Sequence, residues 1–230
     1  MTMIAPHYSK ANKLSRFNFF RHDHFLIKTP CWLKKLYPGC LWKMNSKEKI
    51  LYLSFDDGPH PTITPFVLDL LKKHNAKASF FCIGENVTKH PETVKRVLEE
   101  GHSIGNHTEN HLNGWKTSDT DYLENVLKAK TNIPSTLFRP PYGRMKKSQI
   151  KLMRQEIVGI KIVMWNILAG DWVETISPEK CFDRIKNKIS NGDIIVLHDS
   201  EKAFHRMQYV LPQILQHFSE KGFLFKALPY

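Results

Sequence analysis

Two histidines four residues apart, His107 and His111, follow a pair of adjacent carboxylates, Asp56 and Asp57. Asp57, His107 and His111 form a two-imidazole, one-carboxylate set that zinc accepts while leaving a position for water. Mn, Fe and Co take the same ligand types. A cation held this way lowers the pKa of water from about 16 to roughly 7. The set therefore points to a metal-dependent hydrolase. The His-x-x-x-His spacing alone equally suits two histidines on a helix face; the paired aspartates after a strand-like run favour the metal. Consecutive side chains on an extended segment point in opposite directions. One carboxylate can then ligate while the other takes a proton from water. Asp56-Asp57-Gly58-Pro59 also suits an ordinary exposed turn, since all three residue types favour turns.

Two later segments add candidates. In Phe138-Arg139-Pro140-Pro141-Tyr142-Gly143 the prolines stiffen the backbone and Gly143 permits a sharp exit. A held N–H at Tyr142 could donate to a developing oxyanion, a contact worth about 3–4 kcal/mol in the transition state. Arg139 could pair with an active-site carboxylate and keep it ionised. His198, after the apolar run Ile194–Leu197, could be a general acid for a leaving amine or alcohol. Asp171 could orient its other nitrogen, and Asp199 could equally be its local partner. Trp172 and Leu197 could line an apolar wall or belong to the core.

The elements that must position these groups alternate. Residues 50–55 read as a buried strand, and Thr62 as the cap of a following helix with Phe66, Leu70 and Leu71 on one face. Strands are predicted at 78–83, around 103–104, and at 136–138, 160–165, 193–197 and 223–228. Helices are predicted at 89–100, 119–130, 146–156, 178–189 and 207–218, the last kinked or starting late because of Pro212. Repeated strand–helix pairs predict an α/β fold with a parallel sheet and outer helices. Such a sheet, open or closed as a barrel, gathers its strand C-termini on one face. The candidate residues follow successive strands and would converge there.

The net charge is +12, and residues 1–49 carry ten Lys or Arg against two acids. Such an excess suits an anionic neighbour, but it lies outside the candidate site. It lacks the aromatic–basic repeat or helix motif of a nucleic-acid reader, so no nucleic acid is expected. No apolar run is long enough to span a membrane. The stretch 25–42 mixes aromatics with lysines and suits either a membrane surface or an arm packed on the domain. No clear signal peptide is present, which favours the cytoplasm; a cell-wall substrate would instead demand association with the envelope. The four cysteines do not form a disulfide scaffold, although a Cys31–Cys40 bridge stays open.

Together these segments resemble the polysaccharide deacetylases, the family-four carbohydrate esterases with a NodB-like homology domain. Leu53–Pro59 is similar to the family's first motif, Gly101–His111 to its second, Arg139–Gly143 to its third and Ile195–Asp199 to its last. The resemblance covers residues 48–230 as a catalytic domain and leaves 1–47 as a basic N-terminal extension. It implies a distorted (β/α) barrel of about seven parallel strands. It also implies one divalent metal, zinc first, held by Asp57, His107 and His111. Asp56 would be the base, oriented by Arg139, and His198 the acid, supported by Asp171. The Tyr142 amide would join the oxyanion hole, and Pro141, Tyr142, Trp172 and Leu197 would face substrate. His102 has no ligand role. The implied reaction is N-deacetylation of an N-acetylglucosamine glycan; O-deacetylation of a polysaccharide such as xylan, and a catalytically silent carbohydrate binder, are the alternatives. One departure stands out: Leu168 occupies a position where the family often has an Asp, three residues ahead of Asp171-Trp172.

Overall fold

The computed structural model describes residues 25–229; the expected extension before Phe25 lies outside the described residues. In chain order the elements are α1 (Cys31–Leu36), β1 (Ile50–Asp56), α2 (Ile63–Lys73), β2 (Ala78–Cys82), α3 (Gly84–Lys89), α4 (Pro91–Glu99), β3 (Ser103–Asn106), α5 (Asp119–Lys130) and β4 (Leu137–Phe138). They continue with α6 (Lys147–Glu156), β5 (Lys161–Ile162), β6 (Ile167–Leu168), α7 (Pro178–Lys186), β7 (Ile194–His198), α8 (Glu201–Glu220) and β8 (Leu224–Phe225). The strand order is β5-β4-β3-β2-β1-β7-β6, with β8 beside the start of β1. The ladders between these strands are all parallel. This is the expected distorted (β/α) barrel, a curled seven-strand sheet flanked by helices, with every strand C-terminus at one end.

Alternation along the strands separates two environments. In β1, Leu51, Leu53 and Phe55 enter the helix-covered core, and in β7 so do Ile195 and Leu197. The intervening positions face the barrel interior. Near the strand starts these are apolar: Ile50, Tyr52 and Ile194 cluster with Phe81, Val163 and Leu228. Towards the strand ends they become polar, with Ser54, Asp56 and His198. One period-two pattern thus builds both a dry floor and a chemical rim. Gly105 belongs to this interior: a Cβ there would lie 2.6 Å from the Phe81 ring.

Several expectations need correction. Of the strand predicted at 160–165 only Lys161–Ile162 forms, as β5, and an unpredicted short strand, β6, follows at Ile167–Leu168. Ile162 pairs with β4 whereas Ile167 and Leu168 pair with β7, so the stretch crosses from one sheet edge to the other. The arm after Phe25 runs beside that crossing, with Lys28 bridged to Ile167 and Leu41 to Val163. Lys43 reaches the fully buried Asp193 at 3.3 Å. Cys31 and Cys40 are free thiols, not a bridge. The Thr62 side chain does not cap α2; His60 Nδ1 accepts the Ile63 N–H at 3.2 Å instead. α8 starts at Glu201 rather than near Met207, and Pro212 lies inside it. Its apolar face, from Ala203 through Met207, Val210 and Ile214 to Phe218, begins early enough to override the proline. Among the described residues no helix is long and apolar enough to cross a membrane.

Candidate active site and metal centre

The turn after β1 carries the two aspartates. Asp56 is the last residue of the strand and points inward; Asp57 adopts φ 79°. That reversal lets adjacent carboxylates serve one cleft. The turn is held by groups that local sequence does not reveal. Asp199 accepts the Gly58 N–H at 3.1 Å and the Thr64 hydroxyl at 2.5 Å. Asn86, from α3, donates to the Asp57 carbonyl at 2.8 Å. A Cβ on Gly58 would lie 2.2 Å from the Asp199 carboxylate. Asp199 is therefore a brace for the aspartate turn and not the partner of His198. Burial raises its pKa to about 7, with the Thr64 hydrogen bond opposing and the Asp57 charge adding.

His107 and His111 follow β3. Their ring nitrogens and an Asp57 oxygen lie within 4.8 Å of one another. Asp57 Oδ1 is 3.2 Å from His111 Nε2 and 3.7 Å from His107 Nε2. His107 Nδ1 is 2.8 Å from the Arg139 carbonyl, an acceptor, so Nδ1 carries the proton and Nε2 presents a lone pair. His111 Nδ1 lies 3.1 Å from the Tyr142 hydroxyl, which holds the ring in place. Burial pushes the His107 pKa down to about 4 despite Asp56 and Asp57, so the ring is neutral. Burial opposes ionisation of Asp57, but the adjoining His111 ring and the nearby His198 and His107 hold it below the usual carboxylate range. Asp57 Oδ1 is buried without a hydrogen-bond partner among the described residues. One carboxylate oxygen and two imidazole nitrogens converge on a single point, and that donor set fits a divalent metal.

Arg139 is fully buried and donates to Asp56 Oδ1 at 2.6 Å and to Ser54 Oγ at 2.8 Å. Its remaining bonds go to the Val163 and Met164 carbonyls, and its guanidinium lies 4.0 Å from the Phe81 ring centroid. Ser54, missed in the sequence, was legible as the residue two before Asp56 on the same strand face. On the other side, His198 is clamped by both oxygens of Asp171: Nδ1 to Oδ1 at 2.9 Å and backbone N–H to Oδ2 at 2.7 Å. Arg206 of α8, also missed, donates to the Asp171 carbonyl at 2.5 Å. Burial alone would lower the His198 pKa; the Asp171 charge and hydrogen bond, with Asp57 and Asp56, push it up to about 10. His102 Nδ1 accepts the Ala78 N–H at 3.1 Å, a contact with the start of β2.

These groups open on a cleft of about 490 Å³ whose walls include Asp56, Asp57, His111, Tyr142, Trp172 and His198. Two expected substrate contacts are not on it. Leu197 is fully buried in the helix-facing core, and Val196, on the opposite face of β7, takes the wall position. Pro141 is buried, and Tyr142 beside it is exposed. Leu168, at the departure noted above, lines the cleft as an apolar wall. Among the described residues, Tyr142 (φ 60°), His111 (φ 60°), Thr108 (φ 66°) and Asp57 (φ 79°) are four of the five non-glycine residues with positive φ. The fifth, Asn75, lies at the end of α2. Non-glycine residues in this region are strained by about 1–3 kcal/mol each. Here they cluster where backbone must deliver chemistry.

A carboxylate clamped by a buried arginine, a three-ligand metal set and a carboxylate-braced imidazole, all at the strand ends of a parallel barrel, define a metal-assisted hydrolase. The comparisons agree. The family model for polysaccharide deacetylase matches residues 43–159, and the chain belongs to that family. It is 36% identical over 191 residues to a peptidoglycan-N-acetylglucosamine deacetylase of Bacillus cereus, covering 80% of this chain and 88% of that one. The crystal structure of the peptidoglycan N-acetylglucosamine deacetylase Bc1960 is 31% identical and superposes with a TM-score of 0.77 over 86% of this chain and 94% of that one. Peptidoglycan deacetylase PdaC of Bacillus subtilis is 27% identical, with a TM-score of 0.70 over 80% and 90%.

Proposed function

We propose that this protein is a metal-dependent N-deacetylase of N-acetylglucosamine-containing glycans, peptidoglycan-like or chitin-like, releasing acetate. The observation that carries the reading is the convergence of Asp57, His107 and His111, with Asp56 and His198 on the walls of the same cleft. A divalent cation, zinc first among the candidates, supplies Lewis acidity at the acetyl carbonyl and lowers the pKa of water. Asp56, oriented by the Arg139 guanidinium that donates to it, takes the proton of the attacking water. Among the described residues no acceptor takes the Tyr142 N–H, which is free to donate to the developing oxyanion. Asp171 keeps the Nδ1 of His198 protonated and leaves Nε2 to give its proton to the departing sugar nitrogen. The C–N bond breaks, leaving acetate and an amino sugar.

The test is acetate release from N-acetylglucosamine oligomers and from O-acetylated xylan, with metal removed and then with Zn, Co or Mn restored. Release from the amide substrate that returns with metal is expected. Faster turnover of xylan would favour the ester reading, and tight glycan binding without acetate in any metal would leave only a carbohydrate binder. Access to a cell-wall glycan would require the enzyme to reach the cell envelope. The exposed Trp32 and Leu36 of α1, beside Lys34 and Lys35, support a peripheral contact with an anionic membrane. Cell fractionation tests that location.

A further inference from the structure

The cleft does not end at the metal ligands. Tyr142, Gly143, Arg144, Trp165 and Leu168 line both the cleft and a neighbouring cavity of about 240 Å³, so the two spaces adjoin. Trp115 stands on the wall of that second space and is 54% exposed. A single exposed apolar residue is ordinary on a protein surface. This one is held with unusual care. Asn113 Oδ1 accepts the Trp115 backbone N–H at 3.1 Å, and the indole Nε1 donates to the Met145 carbonyl at 3.3 Å. Gln149, buried, donates to the Gly114 carbonyl at 2.9 Å and accepts the Lys146 N–H at 2.9 Å. At Gly114 a Cβ would lie 2.6 Å from the Arg144 carbonyl oxygen, so the two loops touch backbone to backbone. The result is a fixed indole open to solvent, which can take an apolar sugar face with little further ordering cost.

Arg144 gives this platform a charge. Its guanidinium carbon lies 5.2 Å from the Trp115 ring centroid. Among the described residues no carboxylate pairs with it. The acids on the cleft wall are otherwise engaged, Asp56 by Arg139 and Asp57 by the two histidines. An arginine fork with no carboxylate partner among the described residues, beside a fixed stacking surface, is suited to a planar carboxylate. We propose that Trp115 and Arg144 form a subsite for the sugar next to the one deacetylated, and that the guanidinium selects a neighbour carrying a carboxylate. The proposal rests on the glycan deacetylase reading and deepens it by naming an acidic polymer as the preferred substrate.

The test compares acetate release from a neutral chitin-like oligomer and from an oligomer alternating N-acetylglucosamine with carboxylate-bearing N-acetylmuramic acid. Trp115→Ala raises KM on both by about tenfold while kcat stays within about twofold, and Trp115→Phe recovers most of the loss. Arg144→Gln raises KM by about tenfold on the acidic oligomer but by under twofold on the neutral one, and Arg144→Lys restores part of the difference. Thermal melts of the four variants confirm folding. Unchanged KM in Trp115→Ala, or equal losses on both oligomers in Arg144→Gln, overturns the proposal. If the wild-type protein releases no acetate from either oligomer, it is the deacetylase reading that fails. The subsite is then judged by calorimetric binding of the same two oligomers. A wild-type preference for the acidic one that Arg144→Gln abolishes supports it, and no preference refutes it.

Discussion

Asp56 and Asp57 are neighbours with opposite fates. Asp57 faces two histidines and Asp56 faces a buried arginine, so their substitutions separate binding from chemistry. Asp56→Asn should keep the metal and lose about 10²–10⁴ in kcat; metal analysis beside steady-state rates checks it, and near wild-type turnover of the metal-loaded variant would falsify the role of Asp56 as base. His198 titrates in the other direction. Its folded pKa, about 10, lies above the ordinary histidine value of 6.5. The Asp171–His198 pair therefore contributes stability that is complete below about pH 6.5 and is lost as pH rises towards 10. An NMR titration of metal-free protein should find the ring protonated at pH 8, and Asp171→Asn should bring its midpoint down. Much of this was readable from residue type and position. Asp57, His107, His111, Asp56, Arg139 and His198 each announce themselves by following a strand. Their braces do not: Thr64, Asn86, Asp199 and Arg206 reach the site across sequence distances that carry no local pattern.

At the level of elements, the strands work as two-sided supports, and the long, uninterrupted ones were the most legible. The apolar run Ile194–Leu197 could not be mistaken, and α5 has the predicted bounds, Asp119–Lys130. The crossing from β5 to β6 was misread because its two halves pair with opposite edges of the sheet, a tertiary fact that periodicity does not encode. Inside β3, Gly105 makes room for Phe81, whose ring supports Arg139. Gly105→Ala should overpack this contact and cost about 1–3 kcal/mol, read by urea denaturation. The disturbance should also reach kcat, since the Arg139–Asp56 pair rests on the same ring.

Taken as a whole, the molecule has a worked end and a sealed end. Metal should steady the first: adding Zn at about a hundred times its Kd should raise stability by about 2.7 kcal/mol, seen as a higher Tm, and Asp57→Ala should remove that response. The arm from Phe25 onward closes the flank where the sheet edges meet, through Leu41 beside Val163 and Lys43 at Asp193. A chain lacking residues 1–47 should melt well below the full chain and expose apolar surface, which dye binding would register. The length of that arm was visible in the sequence, but its docking partners were not. The opposite pole is stoppered by β8 and by Leu228, whose N–H donates to Ser79 Oγ at 2.8 Å inside the barrel floor. A support or fusion partner attached beyond that stopper would leave the mouth facing outward. Tethered this way, the enzyme could graze along an insoluble polymer too large to diffuse to it.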